Sequence, residues 1–306
     1  MTRSNTSLKR AESRVAESCA AGSCAAKIVW AIAASVLCAL LVWPDARVNA
    51  SAEADVPQRP GSASQIVAAV VSNELVDTQN NRDHYAYFSV ERSDRTGGHL
   101  WMEKVVETSV GKVRMLREED GQPLSAERMA QERGRLAAIV ADPSAFVKRA
   151  QTIKDDEAHA RQMLTLVSRA FLFGDAREEG GFLCIDFRPN PEYETRSIEE
   201  RVLHAMTGTM LIDPQRMRLH HIEARLPTDV NIGFGLLATI RAGSNFSTTR
   251  DRLGEPDFKT TQLDTDINGR AIFFKSIAKK QHSEHSNFVR VPDDVTVAQA
   301  VAIAED

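Results

Sequence analysis

The sequence predicts an α+β fold in which a strongly curved antiparallel sheet, an incomplete β-barrel, carries helices over its concave face. The first observation is the order of the elements: strand-like segments follow one another through turn signals and do not alternate with helices. The second is Asn231–Arg241, which has the clearest period of two in the chain and places Gly233 and Gly235 on its outward face. Glycines at such positions remove side chains from a strand and suit strong curvature.

The first fifty residues have the features of a targeting segment. Ile28–Trp43 is a run of sixteen uncharged residues that follows Lys27, and Val48 and Ala50 are small residues suited to a cleavage site. About 20 apolar residues are needed to cross a membrane, so this run is short for a span. We therefore expect residues 1–50 to be a signal peptide cleaved after Ala50 and the protein to be exported to the periplasm. An inner-membrane anchor formed by Ile28–Trp43 is the alternative.

The rest of the chain is expected to be one linker and one domain. Residues 51–64 are small, polar and proline-bearing, which indicates a flexible linker. Residues 65–306 contain no internal repeat and are expected to form a single half-barrel domain. The composition of the 306 residues, 42% hydrophobic and 26% charged, is typical of globular proteins.

Charge and cysteine content exclude several classes of function. The chain has 38 basic and 42 acidic residues, and cleavage removes six basic and three acidic ones, which leaves 32 against 39. Nucleic-acid binding requires clustered Lys and Arg, so no nucleic-acid partner is expected. Cleavage leaves Cys184 alone, which excludes an intramolecular disulfide. Cys184 lies in an apolar strand-like run and is expected to be a buried small hydrophobe.

The first half of the domain is predicted from apolar periodicity and from Pro143, whose ring disfavours helix at the residue before it. The expected elements are, in order, a helix from Gln65 with Ile66, Val67, Val70 and Val71 on its apolar face, a strand His84–Arg92, and a hairpin of Leu100–Ser109 and Lys112–Glu119. Two amphipathic helices follow, Ser125–Ala141 with Met129, Leu136, Ala137 and Val140 on its apolar face, and Ser144–Phe173 with Val147, Ile153, Met163, Leu164, Val167 and Phe171.

The second half is predicted to be strand-rich. Asn268-Gly269 is a hairpin turn signal because both residues tolerate positive φ. Ser197 and Glu200 form a capping-box pattern that begins a short helix. The expected elements are strands Gly181–Arg188, Thr209–Asp213, Met217–Leu226, Asn231–Arg241, Thr260–Ile267, Arg270–Ala278 and Phe288–Val291, with helices Ser197–Met206 and Asp293–Glu305.

Two histidine pairs are the only candidates for metal chemistry. His282 and His285 are three residues apart, but their polar neighbourhood favours an exposed loop or strand end. His220 and His221 are adjacent, so in a regular strand they point to opposite faces; the apolar phase changes nearby, which indicates a bulge. We find no nucleophile elbow and no phosphate-binding loop. No catalytic residue, metal or cofactor is therefore predicted, and a metal-dependent hydrolase that uses the histidines is a minor alternative.

Apolar residues give the remaining functional signal. Phe234, Leu236, Ile240 and Phe274 on strands, with Phe171 at the end of a long helix, are first of all candidates for the core. They are also the residues that would line an apolar cleft between a curved sheet and its helices. Each buried CH₂ contributes about 0.8 kcal/mol, so a ten-carbon acyl segment offers roughly 8 kcal/mol before entropic losses.

Two segments resemble a recurring pattern of exported bacterial proteins with the LolA-like fold of outer-membrane lipoprotein carriers. They are Gly208–Pro214, followed by Arg218-Leu219 and Ile222-Glu223, and Ile232–Arg241, followed by Asn268-Gly269-Arg270 and Phe273-Phe274-Lys275. The resemblance covers residues 200–292 in detail, and the helical insert Ser125–Phe173 departs from it. It implies an incomplete antiparallel barrel with helices closing one mouth, a fold shared by lipoprotein carriers and receptors and by sensor domains of envelope-stress regulators.

The expected function is that of a non-enzymatic periplasmic protein that binds a lipid or lipoprotein acyl chain in the half-barrel. The alternative is an interaction or sensor domain of the cell envelope whose core is filled by its own side chains and whose partner is a protein. Contact with the membrane is expected only through the N-terminal segment before cleavage.

Overall fold

The computed structural model describes residues 61–80, 83–232, 237–254, 257–271 and 275–306. The predicted signal peptide, its cleavage site at Ala50 and all but the last residues of the predicted linker lie outside these residues. The part of the chain that the structure describes contains five α-helices, one 3₁₀ turn and fourteen strands in one sheet.

The helices begin where the sequence supplies caps. The Ser125 hydroxyl accepts a hydrogen bond from Arg128 N (3.2 Å), and the Ser197 hydroxyl accepts one from Glu200 N (3.1 Å). The predicted capping box at Ser197 is only half formed, because the Glu200 carboxylate accepts from Arg196 N (2.8 Å) instead. The helices are α1 Ala63–Asn80, α2 Ala126–Ala141, α3 Ser144–Ala170, α4 Ile198–His204 and α5 Val297–Glu305, and the 3₁₀ turn is Asp94–Thr96.

The strands pair antiparallel throughout and form an open sheet, which confirms the predicted fold class. The main order across the sheet is β4-β3-β2-β1-β14-β13-β12-β9-β8-β7-β5; β6 also pairs with β7, and the β10–β11 hairpin joins β13 through β11. The strands are β1 His84–Ser93, β2 Leu100–Glu107, β3 Lys112–Glu119, β4 Gln122–Pro123, β5 Phe171–Phe173, β6 Arg177–Glu179, β7 Phe182–Pro189, β8 Thr207–Asp213, β9 Arg218–Arg225, β10 Val230–Ile232, β11 Ala238–Ile240, β12 Asn245–Arg252, β13 Phe258–Ala271 and β14 Lys275–Val291.

The prediction of one strand over Asn231–Arg241 is wrong, because the segment contains the two arms of a hairpin. Strands β10 and β11 pair antiparallel, with Val230 opposite Ile240 and Ile232 opposite Ala238. In this register even-numbered residues face even-numbered residues. The same alternation therefore continues from one arm to the other, and a period of two cannot reveal the reversal.

The turn predicted at Asn268-Gly269 is also wrong. Strand β13 continues to Ala271, which pairs with Lys275 of β14, so the hairpin closes beyond the predicted position. Gly269 serves packing instead: a Cβ there would lie 2.6 Å from the carbonyl oxygen of Thr239 in β11. A side chain at this position would keep β11 from approaching β13.

The long helix predicted over Ser144–Phe173 ends earlier than expected. Helix α3 ends at Ala170, and Phe171 is already extended (φ −125°, ψ 152°) as the first residue of strand β5, which pairs with β7. Val140, Val147 and Ile153 were expected on apolar faces, but they are 42%, 44% and 44% exposed. Leu136 and Met163, which belong to the same predicted faces, are buried as expected, and Ala150 and Ala160 join them on the core sides of α2 and α3.

Helices cover both faces of the sheet but at different places. We call inner face the face on which α1 packs. Ala86, Val106 and Val113 belong to the opposite, outer face, where α2 and α5 cover β1–β3 through Leu136 and Ala300. One cross-strand row defines the inner face from β2 to β7: Trp101, Glu91, Ser283, Leu263, Thr248, Ile222, Met210 and Ile185.

Side chains of α2 close the part of the β3 edge that strand β4 leaves unpaired. The Glu132 carboxylate accepts a hydrogen bond from Leu116 N (3.0 Å), and Arg135 Nη2 donates to Arg114 O (2.6 Å). Glu132 and Arg135 also bind each other, with 2.6 Å between Oε1 and Nη2. These contacts cover the part of the β3 edge that β4, which pairs only with Glu118 and Glu119, does not reach.

Replacing Gly208 by alanine is expected to destabilise the fold. A Cβ at Gly208 would lie 1.9 Å from Glu223 O and 2.9 Å from the Cα of Ala224, which are backbone atoms of the neighbouring strand. Overpacking of this kind lowers the free energy of unfolding by about 1–3 kcal/mol. Urea denaturation measures the change. Gly134→Ala in helix α2 is the control, because no atom lies within 4 Å of the added methyl group; it is expected to stabilise by about 0.5–1 kcal/mol. Equal effects of the two changes would contradict the prediction.

Candidate functional site

Helix α1 packs on the sheet through an apolar cluster. Ile66, Val67, Val70 and Val71 form its buried face, as the sequence predicts. They belong to one buried cluster together with residues of the sheet that include Phe171, Ile185, Phe187, Met210, Ile212, Leu219, Ala224, Ile240 and Phe246. We refer to this set as the apolar cluster.

Two of the predicted lipid-binding residues belong to the apolar cluster. Ile240 is 1% exposed and Phe171 is 4% exposed, and the Phe171 ring meets the Phe187 ring edge to face with 5.1 Å between centroids. Phe171 occupies this position from strand β5 and not from a helix end, which corrects its predicted context. Phe234, Leu236 and Phe274 lie outside the described residues.

Two carboxylates of α1 bind two guanidinium groups of the sheet. Arg218 of β9 donates from Nε to Glu74 Oε1 (2.8 Å) and from Nη2 to Glu74 Oε2 (3.2 Å) and Asp77 Oδ2 (2.6 Å). Arg250 of β12 donates from Nη1 to Glu74 Oε2, and Leu219 N donates to Glu74 Oε1 (3.1 Å). We call Glu74, Asp77, Arg218 and Arg250 the clasp. Burial alone would raise the pKa of Glu74, but Arg250 and Arg218 outweigh it and hold that pKa below its ordinary value.

One donor of the clasp has no acceptor. Arg250 is 3% exposed, its Nη2 donates to Phe258 O (3.1 Å), and its Nε has no hydrogen-bond partner among the described residues. The Arg218 guanidinium also lies over the Phe258 ring, 4.8 Å from the centroid. The clasp therefore presents more buried donors than Glu74 and Asp77 occupy.

A second group of buried charges lies on the inner face at β1–β3, and we call it the charged half. Arg95 donates to both Glu91 and Glu103, and Arg114 Nη1 donates to Glu103 Oε2 (3.0 Å). Next to them Glu107 binds Lys112 (3.3 Å) and Lys259 (3.1 Å). The three carboxylates in these contacts come from β1 and β2, so every cation of this half binds a partner that does not belong to α1.

Helix α3 places one further carboxyl over the charged half. Glu157 is 7% exposed, and burial raises its pKa to about 7 although Lys112, Arg161 and Lys154 lower it. On the sheet below, burial lowers the pKa of His285 to about 4. His285 is therefore neutral at physiological pH, and its Nδ1 donates to Thr260 O (2.9 Å).

The structure separates the two histidines of the predicted metal pair. Both lie within strand β14 and not in a loop, which corrects the predicted context. His285 pairs with Ser89 on the inner face, while His282 pairs with Asp264 on the outer face. Residues three apart in a regular strand point to opposite faces, so these imidazoles cannot share an ion. Within the described ranges no group of three or more His, Cys, Asp and Glu residues could hold a metal.

The predicted irregularity at His220 and His221 is confirmed. Leu211 pairs with His221 and Ile212 pairs with Leu219, which leaves His220 as the extra residue of a bulge. The His220 ring stacks on Phe182 with 4.1 Å between centroids, and the His221 ring binds Thr249 on the neighbouring strand. Cys184 is buried as predicted, and burial raises the pKa of its thiol.

Sequence reasoning missed both groups of buried charges. Glu103 and Glu107 share the strand face of Val105, and Glu74 lies one turn after Val70 and Val71 on α1. Those positions on apolar faces are the signal that could have indicated burial. The sequence alone does not show that Glu74 and its arginine partners lie close together, because Arg250 is 176 residues away from Glu74 along the chain.

Comparisons with protein-family models, with curated proteins and with solved structures found no match to this chain. The resemblance to the LolA-like fold family therefore stays a prediction. No helix among the described residues is long and apolar enough to cross a membrane. Ile28–Trp43 lies outside those residues, so export to the periplasm and the alternative of an anchor also stay predictions.

Glu74→Gln is expected to lower the free energy of unfolding by about 3–5 kcal/mol at neutral pH, because it removes the charge that compensates two buried cations. The pKa of Glu74 is lowered in the folded state, so its contribution is complete above the ordinary glutamate pKa and is lost as the pH falls through the folded pKa. The difference between wild type and variant should therefore shrink in acid. Urea denaturation at several pH values measures it. Arg177→Gln, which breaks the exposed Arg177–Asp186 pair, is the control and should change stability by less than about 1 kcal/mol.

Glu157→Gln is expected to stabilise the protein at pH 8 and to have little effect at pH 5. The folded state holds the Glu157 proton up to a pKa of about 7, so wild-type stability falls as the pH rises from the ordinary glutamate value to about 7. Glutamine does not ionise, and its gain at pH 8 should be on the order of 2 kcal/mol. Urea denaturation at both pH values measures this, with Asp155→Asn on the exposed side of α3 as the control. A gain of equal size at pH 5 would contradict the prediction.

Proposed function

We propose that this protein is a non-enzymatic binding protein of the cell envelope that takes up the acyl chain of a lipid or lipoprotein between the sheet and helix α1. The observation that carries the proposal is the apolar cluster, in which helix α1 packs on an open sheet through aliphatic side chains. No covalent link or backbone pairing joins α1 to the strands it covers in the described residues. A chain of CH₂ groups can therefore replace helix–sheet contacts with contacts of the same kind.

The side chains of α1 that enter the cluster suit such an exchange. Ile66, Val67, Val70 and Val71 are aliphatic, and their contacts with the sheet are not directional. The charged half, in contrast, is made of paired ions and is a poor surface for an acyl chain. The two halves of the inner face thus favour a ligand whose apolar part lies under α1.

A second function is favoured by the burial of Ile240 and Phe171, which are 1% and 4% exposed. If these side chains fill the cluster permanently, the domain is an envelope interaction or sensor domain and its partner is a protein. The two proposals differ in one respect: only the first requires that an acyl chain reach the apolar cluster.

A photoreactive acyl chain tests the first proposal. A long-chain fatty acyl methyl ester with a diazirine near its ω end is expected to label residues of α1 and of the apolar cluster, and mass spectrometry of peptides locates the label. Ile240→Thr is expected to reduce labelling severalfold, because it places a hydroxyl in the cluster. Val289→Thr is the matched control. Val289 is 63% exposed, so the same substitution there should leave labelling of the apolar cluster unchanged.

Native mass spectrometry of protein purified from membranes gives an independent measurement. Retained lipid together with labelling in the apolar cluster supports acyl binding. Labelling at exposed residues only, with no retained lipid, would overturn it and leave the filled-core interaction domain.

A further inference from the structure

The clasp differs from the charged half in the origin of its carboxylates. In the charged half, the cations of the sheet bind carboxylates of the same sheet. In the clasp, both cations belong to the sheet and both carboxylates belong to α1. Removing α1 would therefore leave the ion pairs of the charged half in place but would take from Arg218 and Arg250 the two carboxylates that they bind.

The donors of the clasp converge as they would on a bound anion. Arg218 Nε and Nη2, Arg250 Nη1 and Leu219 N all donate to the single carboxylate of Glu74. The buried Arg250 Nε provides a further donor that no acceptor uses within the described part of the chain. Guanidinium groups arranged in this way match carboxylate and phosphate oxygens.

The site also adjoins the apolar cluster. Leu219, whose N–H binds Glu74, is itself a member of that cluster, and Val70 and Val71 lie one turn before Glu74 on the same helix. A ligand with its acyl chain in the apolar cluster would thus place its polar end beside the two guanidinium groups.

We propose that Arg218 and Arg250 form an anionic head-group site, that Glu74 occupies it as a built-in competitor, and that the ligand is an amphiphile with a carboxylate or phosphate at its head. This inference rests on the proposed function. When the ligand binds, its head group replaces Glu74 at the two guanidinium groups, and α1 moves away from the sheet. Glu74 thereby sets how strongly an anionic ligand must bind in order to enter.

Binding of a dansyl-labelled undecanoic acid and of its methyl ester tests the proposal, because the two probes share one chain and differ in head-group charge. In Glu74→Gln the acid is expected to bind about tenfold more tightly than in the wild type, since its competitor loses its charge. The methyl ester should change much less. Asp77→Asn, a milder change in the same clasp, should shift the affinity for the acid in the same direction by about threefold, and it keeps the test decisive if Glu74→Gln does not fold.

Arg250→Gln is expected to remove the preference for the acid while leaving binding of the methyl ester. Arg177→Gln is the matched control, because it removes the same charge from an exposed pair on β6. Competition by a lysophosphatidic acid and by a fatty acid of equal chain length then shows whether the head group is a phosphate or a carboxylate.

Three results are decisive. A gain for the acid alone in Glu74→Gln and Asp77→Asn, with loss of the preference for the acid in Arg250→Gln and neither change in Arg177→Gln, supports the anionic site. Parallel changes for acid and ester overturn the anionic site and leave acyl binding in place. Absence of binding by either probe to the wild type and to every folded variant overturns the proposed acyl binding, and the anionic site with it.

Discussion

One buried carboxylate, Glu74, fixes where helix α1 lies on the sheet. The aliphatic side chains of α1 could pack on an apolar surface in more than one register, because such contacts are not directional. The bonds of Glu74 to Arg218, Arg250 and Leu219 N exist in one register only. Buried ion pairs of this kind add little net stability compared with apolar packing, but they strongly penalise alternatives that leave a charge unpaired. The clasp therefore specifies the position of the helix more than it strengthens its attachment.

The inner face is divided into two surfaces with different requirements. Strands β5, β7, β8 and β9 present aliphatic and aromatic side chains, which need only to be kept from water. Strands β1–β3 present carboxylates and cations, which need each other. The apolar side depends on a helix to cover it, whereas each cation of the charged side already binds a carboxylate of β1 or β2. This asymmetry is the reason that the apolar side is where a ligand could replace part of the protein.

Regular local patterns were sufficient to predict the fold class and most elements. The hairpin of β2 and β3, the cap at Ser197 and the bulge at His220 all follow from periodicity, turn chemistry and capping. The errors come from sequence patterns that are compatible with two different local structures. An antiparallel hairpin in an even register alternates like a single strand, as between Val230 and Ile240. Asn268-Gly269 is a sequence typical of a turn, but in the structure Gly269 lies within β13 and allows β11 to approach that strand closely.

The candidate site was predicted only in its apolar part. Phe171 and Ile240 are found together because apolar residues gather in the core whatever their role. Glu74, Arg218 and Arg250 were not anticipated, because a charged residue has the same letter whether it is exposed or buried. Only the packing of α1 on β9 and β12 makes these residues partners.

The contacts of α2 with strand β3 also limit how this open sheet can meet other chains. An unpaired strand edge is a template on which a strand of another molecule can add, in specific complexes as well as in aggregates. At this edge the carboxylate of Glu132 and the guanidinium of Arg135 already bind main-chain groups at Leu116 and Arg114. Two side chains thus act as a cap against intermolecular β-augmentation, and the fourteen-stranded sheet can stay open without recruiting a neighbour at this edge.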